Sequence, residues 1–393
     1  MDGIKANFDL TEDQKQIADQ VDRFGREELA PLQERMDRED WWPDDMFKKM
    51  GELGILGATV PASHGGAGVD LFTECLIGQV LGRWSPAVAM GWLAHDNLCV
   101  NNILRNGNGA QKEKYLPGLC SGELIGALGL TEPGAGSDAL GSMRTTARRD
   151  GDHYVLNGTK IFITNGPIAD IILVYAKTEL ARGPHGISAF ILETKTPGFK
   201  VAQKLDKMGF RGSPTGELVF EDCRVPAENL VGAENSGVSV VMSGLDLERV
   251  AICFLCVGMA ERALELALDY STLREQFSQP IARFQMIQSK LAEMYVDLEV
   301  ARAMSYRAAA ACNDLETGGG GRGPIHKLTA AACLYAGEAF NRIVTEATHI
   351  HGGSGYMQDT EINRLYRTNK LLEIGAGTSE VRKIIIAGEM LKS

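Results

Sequence analysis

The chain has 393 residues, 44% of them hydrophobic and 23% charged, with a formal net charge of −11. That length supplies buried core for two or three domains and leaves no long segment biased toward disorder, while the charge excludes the basic surface that sequence-independent nucleic-acid binding requires. The longest uninterrupted apolar run, Val250 to Ala260, is shorter than the ~20 residues that cross a bilayer, and the amino-terminal MDGIKANFDL lacks an apolar signal core, so a cytoplasmic protein without a membrane partner is expected.

From Thr11 onward, LTEDQKQIADQVDRFGREELAP reads as an amphipathic helix, with Thr11 and Gln14 spaced as a capping box and Pro31 as a stop. PDDMFKKMGELGIL, LFTECLIGQVLGRW, SPAVAMGWLAHDNLCVNNILRNG and AQKEKYLPGL continue with apolar residues at helical spacing, which predicts a helical domain over residues 1–125. The texture then changes to short alternating runs punctuated by Asp150-Gly151 and Asn157-Gly158, both hairpin-turn signals. Residues 126–238 are expected to form an antiparallel barrel or sandwich, because no ten-residue helical crossover separates the strands. Long helical patterns return after Ser243 and run to His349, with a four-glycine loop at Gly318–Gly321, giving a helical domain over 239–393. Segregation of helices, strands and helices implies an α+β fold and not a doubly wound sheet.

Eight scattered cysteines fit a reducing compartment, and Cys253-x-x-Cys256, inside a helical apolar run, reads as packing. Leu130-Thr-Glu-Pro-Gly-Ala-Gly-Ser-Asp138 is a turn rich enough in glycine to bring backbone N–H groups against a bound group, although its residues alone favour a tight interdomain turn. Thr159-Lys-Ile-Phe-Ile-Thr-Asn-Gly166 ends a strand with an aromatic, a hydroxyl and an amide, which suits a flat cofactor or an ordinary core phenylalanine. In Ser243-Gly-Leu-Asp-Leu-Glu-Arg249, Ser243 and Asp246 have capping-box-like spacing, but Glu248 sits further in, beside an apolar stretch where desolvation raises a carboxyl toward the range of a base. His349-Ile-His351-Gly-Gly-Ser-Gly355 is no metal motif, since residues two apart do not share a helix face, and its glycines suit a phosphate or a plain helix-ending turn. Arg274-Glu-Gln-Phe-Ser278 and Gly375-Ala-Gly-Thr-Ser-Glu-Val381 complete the candidates.

Taken in this order, TEPGAGSD, KIFITNG, KMGFRGS at Lys207–Ser213, GLDLER, REQF, GGSGY and GAGTSEVRK resemble the acyl-CoA dehydrogenase family across essentially the whole chain. The resemblance implies a helical amino-terminal domain, a middle β-barrel and a carboxy-terminal four-helix bundle, with FAD between barrel and bundle. Leu130, Thr131, Ser137, Phe162 and Thr164 would line the flavin. Arg274 and Phe277, with His349, Gly352 and Gly353, would reach the FAD of a neighbouring subunit in a homotetramer, and Thr378 and Glu380 would contact the cofactor's phosphate and adenosine part.

In many relatives the catalytic base precedes the G-T-S of the last motif. That position is Ala376 here, after Gly375, so the resemblance to the isovaleryl-CoA branch assigns the base to Glu248, with Ser137, Asp246, Arg249, Gly375 and Ala376 on the acyl-CoA side. The implied reaction is α,β-dehydrogenation of a short or branched acyl-CoA, isovaleryl first and a longer branched or straight chain as the rival, in fatty acid or branched-chain amino acid breakdown. Electrons would pass to an electron-transfer flavoprotein. A flavin oxidase and a noncatalytic flavin-binding scaffold are the competing readings. Against the branch pattern, Phe254 and Leu255 replace small residues, Asp96 a small neutral one, Ser278 a Gly, His349 a Gln, and Thr368 the Asp after Arg367.

Overall fold

The computed structural model describes residues 10–313 and 321–392. Gly318–Gly320 of the four-glycine loop, and the MDGIKANFD that precedes Leu10, lie outside the described residues. Among the described residues seven α-helices come first: α1 (Glu12–Phe24), α2 (Gln33–Glu39), α3 (Met46–Glu52), α4 (Leu71–Trp84), α5 (Pro86–Leu93), α6 (Asn101–Asn106) and α7 (Gly109–Ser121). The capping box of α1 forms as expected, Thr11 accepting from the Gln14 backbone N–H and Gln14 reaching back. Between α5 and α6 the helix widens into a π-helical stretch at Ala94–Val100.

The strands are β1 (Gly126–Gly129), β2 (Thr146–Asp150), β3 (His153–Thr164), β4 (Ile171–Lys177), β5 (Ile187–Glu193), β6 (Phe199–Lys204), β7 (Thr215–Pro226) and β8 (Leu230–Val231). They form one eight-stranded sheet in the order β6-β7-β3-β2-β4-β5-β8, with β1 joined to β4. The sheet is not wholly antiparallel as expected: β1 runs parallel to β4, and β2 meets β4 in parallel at Thr146 and Lys177. Strand β4 shows how both faces are used. Ile172, Val174 and Ala176 join the core inside the sheet with Phe190 and Phe220. Ile171, Leu173 and Tyr175 point the other way, into a core shared with Ile103, Leu116, Leu119 and Val240.

Asp150-Gly151 makes the β2–β3 hairpin. Asn157-Gly158 does not turn the chain; it lies within β3 as a bulge against β7. Gly158 has φ +152, and a Cβ there would stand 2.4 Å from Oγ1 of Thr145, the residue that leads into β2, so close approach of a neighbouring segment, and not a turn, demands the glycine.

The rest is helical: α8 (Gly237–Leu273), α9 (Gln285–Cys312), α10 (Gly323–His351), α11 (Glu361–Asn369), α12 (Leu371–Ile374) and α13 (Ser379–Met390), with a small hairpin of β9 (Glu275–Gln276) and β10 (Gln279–Pro280) after α8. Helices α8, α9 and α10 pack on one another, α13 packs on α10, and α4 lies along α8. The α4–α8 crossing is close: a Cβ on Gly258 would stand 1.9 Å from the Gln79 carbonyl oxygen. Around it Phe254 stacks on Tyr306 at 4.9 Å and meets Phe72 edge-on at 5.5 Å. The bulk at Phe254 therefore fills the seam between the amino-terminal helices and the bundle.

Candidate active site

Helix α8 begins at Gly237, six residues before Ser243. Ser243 is consequently no cap: its Oγ donates to the Val240 carbonyl at 2.8 Å and accepts from Asn106 Nδ2 at 3.1 Å. Glu248 lies about three turns into the helix, and capping gives no account of it. It is half-buried. Withdrawal from water pushes its carboxyl from 4.5 up to about 6, against the pull of the Arg249 and Arg382 charges, and no hydrogen bond offsets that rise. Tyr175 of β4 and Cys333 of α10 feel its charge. Leu255, seven residues on and on the same helix face, closes against Gly82, whose added Cβ would stand 2.7 Å from Leu255 Cδ1.

Asp246 and Arg249 come together behind this carboxylate, both buried. Asp246 Oδ1 accepts from Arg249 Nη1 (3.2 Å), His326 Nδ1 (2.8 Å) and Thr329 Oγ1 (2.7 Å), and Oδ2 accepts from the Gly321 N–H at 2.8 Å. Burial alone would raise Asp246, but these donors hold it below the usual carboxylate range. His326 and Thr329, on α10, were not singled out from the sequence because they lie some eighty residues from their partner.

The Leu130–Asp138 turn rests on a second buried pair. Lys160 Nζ, fully buried, donates to the Leu130 carbonyl at 3.0 Å and to Glu132 Oε1 at 2.8 Å, while Glu132 also accepts from the Arg144 and Thr145 N–H groups at 2.6 and 2.9 Å. Burial drops Lys160 to about 8 against the pull of Glu132. Burial would raise Glu132, but Lys160 and Thr145 hold it low, so the pair is ionised at neutral pH. The Ile161 N–H bonds the Thr131 carbonyl at 2.9 Å, which sets Leu130 and Thr131 beside Phe162. Phe162 is 65% exposed with φ 62, a left-handed conformation unusual for a bulky residue, at the register shift that ends β3. Thr164 is half-buried and Ser137 exposed.

Arg274, Phe277, His349, Gly352 and Gly353 are all exposed, at the far end of α8 and α10. Tyr270 stacks on His351 at 4.4 Å and so ties the β9–β10 hairpin to the Gly352–Tyr356 turn. Phe277 (φ 53) and Ser278 (φ 64) are left-handed, the conformation that a glycine at 278 would adopt without strain. From Glu248 to Arg274 the helix rises roughly 39 Å, too far for these two sets of residues to serve one flavin ring.

Gly375, Ala376 and Thr378 are half-buried and Glu380 exposed; Thr378 caps α13 by accepting from the Val381 N–H. Asp96 is not turned toward this site. It is buried in the amino-terminal helices, its Oδ1 accepting from the Gly57 N–H and Oδ2 from the Ala58 N–H at 3.3 Å, with buried Glu74 as its neighbour. Thr368 bonds the Arg364 carbonyl, and Arg367 instead forks onto Asp37 at 2.9 and 2.6 Å.

Three family models tile the chain: the acyl-CoA dehydrogenase amino-terminal domain over residues 11–123, the middle domain over 127–223 and the carboxy-terminal domain over 235–391. The chain belongs to the acyl-CoA dehydrogenase family. It is 45% identical to the mitochondrial isovaleryl-CoA dehydrogenase of Pongo abelii over 96% of this chain and 88% of that protein. The fold matches butyryl-CoA dehydrogenase from Megasphaera elsdenii with a TM-score of 0.94 at 40% identity, over 98% of this chain and all of that one. It also matches an FAD-complexed acyl-CoA dehydrogenase from Bacillus anthracis with a TM-score of 0.92 at 35% identity, over 100% of this chain and 70% of that one.

The chain is thus an acyl-CoA dehydrogenase, an FAD-dependent oxidoreductase. Its residues fit that cofactor: nothing stands within 4 Å of an added Cβ at Gly134, Gly136, Gly352 or Gly353, so backbone is open to close approach there, and Phe162 presents an exposed ring. Among the described residues no three His, Cys, Asp or Glu side chains form a metal-ligand set, and no helix is long and apolar enough to cross a membrane.

Proposed function

We propose that this acyl-CoA dehydrogenase oxidises a short branched acyl-CoA, isovaleryl-CoA first, to the 2-enoyl-CoA, with Glu248 as the base that removes the α-proton. The observation that carries this reading is the half-buried Glu248 carboxylate, which accepts no hydrogen bond among the described residues and sits at about 6, where a base is ionised at neutral pH yet basic enough to take a proton. The N–H of Ala376 would donate to the thioester oxygen as charge develops there. Small residues at 375 and 376 leave room for a branch near the reacting carbons. Leu130, Thr131, Ser137, Phe162 and Thr164 would hold the flavin, and bound FAD supplies the acceptor for the β-hydride.

The long separation of Glu248 from Arg274 and Phe277 supports their serving a neighbouring subunit's FAD, with His349, Gly352 and Gly353 beside them, in a homotetramer. Thr378 and Glu380 would meet its phosphate and adenosine part. The reduced enzyme would pass electrons to an electron-transfer flavoprotein.

The test is anaerobic mixing of the purified flavoprotein with isovaleryl-CoA, a longer branched acyl-CoA and straight-chain acyl-CoAs, followed at the flavin absorbance band. Isovaleryl-CoA is expected to bleach wild type fastest and to leave Glu248→Gln unbleached. Bleaching that survives in the variant would remove Glu248 from the role of base, and faster bleaching by a longer chain would overturn the substrate choice.

A further inference from the structure

Arg382 of α13 is fully buried, and among the described residues no carboxylate pairs with it. Its guanidinium donates only to carbonyl oxygens: Nη1 to Leu372 at 2.9 Å and more distantly to Cys333 at 3.4 Å, and Nη2 to Gly375 at 2.7 Å. Its Nε has no partner. Burying an arginine without a counter-ion is costly, and a clamp on three carbonyls alone does not require a permanent cation. What the clamp holds is specific, however. Gly375 directly precedes Ala376, which is a non-glycine residue in the left-handed region at φ 52, and strain of that kind persists only where surrounding structure over-determines it.

We propose that Arg382 is a positioning residue for the acyl-CoA reaction, gripping the backbone at Leu372 and Gly375 so that the strained Ala376 peptide presents its N–H to the thioester oxygen. The inference rests on the reading of Ala376 and Glu248 given above. A planar fork reaches two carbonyls on one chain segment at once, which a lysine cannot do with the same geometry. The position also has a second effect. Among the described residues the charged groups that act on Glu248 are Arg249 on its own helix and Arg382 on α13, while Tyr175 on β4 and Cys333 on α10 feel its charge in turn. Only the two arginines are cations, and both favour the ionised base. Arg249 is already engaged by Asp246 at 3.2 Å, whereas the charge of Arg382 is opposed by no paired acid.

The experiment compares FAD-loaded wild type, Arg382→Lys and Arg382→Gln. Three readouts are taken per bound flavin: the limiting rate of anaerobic bleaching by isovaleryl-CoA, the pH at which its acidic limb breaks, and the isotope-edited infrared stretch of the labelled carbonyl in bound 2-enoyl-CoA product. Arg382→Lys is expected to cut the limiting rate by about a hundredfold and to lose most of the binding-induced shift of the carbonyl stretch, with the acidic limb in place. Arg382→Gln should do the same and also move the limb to higher pH.

Variants that hold FAD and keep both the wild-type rate and the wild-type carbonyl shift would overturn the proposal. So would a rate loss accounted for by lost flavin or lowered thermal stability alone, with the carbonyl stretch of the surviving holoenzyme unmoved. A wild type that no acyl-CoA bleaches would instead bring down the reading of Glu248 and Ala376, and this inference with it.

Discussion

The sharpest consequence of the Glu248 environment is its pH dependence. The carboxyl is raised from 4.5 to about 6, and only its ionised form removes a proton. With a value of about 6 the ionised fraction climbs from about 9% at pH 5 to about 91% at pH 7, so the bleaching rate at subsaturating isovaleryl-CoA should rise about tenfold over that interval. A solvated glutamate at 4.5 would give only about a 1.3-fold rise. Anaerobic stopped-flow mixing across pH 5–8, with jumps short enough to spare the fold, measures the ratio directly. A flat profile down to pH 5 would refute the desolvation argument, because it would mean that water or an unseen donor stabilises the carboxylate.

Three further outcomes follow from buried features away from the reacting carbons. Glu74 and Asp96 are both buried and both raised, by desolvation first and, for Glu74, by the neighbouring charge of Asp96. Each takes up a proton on folding, so their cost is absent below the ordinary carboxylate value of about 4 and grows as pH rises above it. Glu74→Gln should therefore add on the order of 3 kcal/mol at pH 8.5 and little at pH 5, read as a thermal-unfolding gap that widens with pH; equal gaps at both values would be the wrong sign of evidence. Lys160→Met leaves Glu132 buried without its cation, which should cost about 3–5 kcal/mol and loosen the 130–138 turn, measured as faster FAD loss on dilution; unchanged FAD retention would show that the pair does not set the turn. Gly258→Ala forces α4 away from α8 at Gln79 and should lower the unfolding temperature sharply or abolish soluble protein, whereas a wild-type melting curve would contradict the close crossing.

Periodicity and local composition were enough to read helices, then strands, then helices, because the amphipathic spacing of α1 and the short, bounded apolar run of β4 are local properties. Errors arose where a distant contact overrode a local signal. Asn157-Gly158 carries a hairpin signature, but Thr145 across the sheet turns it into a bulge. Helix α8 starts earlier than the sequence suggests, because the valine-rich Val238-Ser-Val-Val-Met242 reads poorly as helix, and Ser243, inside the helix, has no capping role. The candidate site was legible only in part. Glu248 stood out by its apolar neighbours and by family resemblance, but Lys160, His326, Thr329 and Arg382 are recognisable only once partners 10 to 83 residues away are brought to them.

Helix α8 carries Glu248 near one end and delivers Arg274 and Phe277 at the other, with no proline between them to absorb a change. Inserting or deleting one residue in that interval would swing one end against the other by about 100° and shift it by roughly 1.5 Å. Under the roles proposed for them, either the carboxylate would leave the substrate or the hairpin would leave the adjoining subunit's FAD. On that proposal the stretch can diverge by exchanging side chains but not by changing length, because the two proposed duties are locked to a single count of residues.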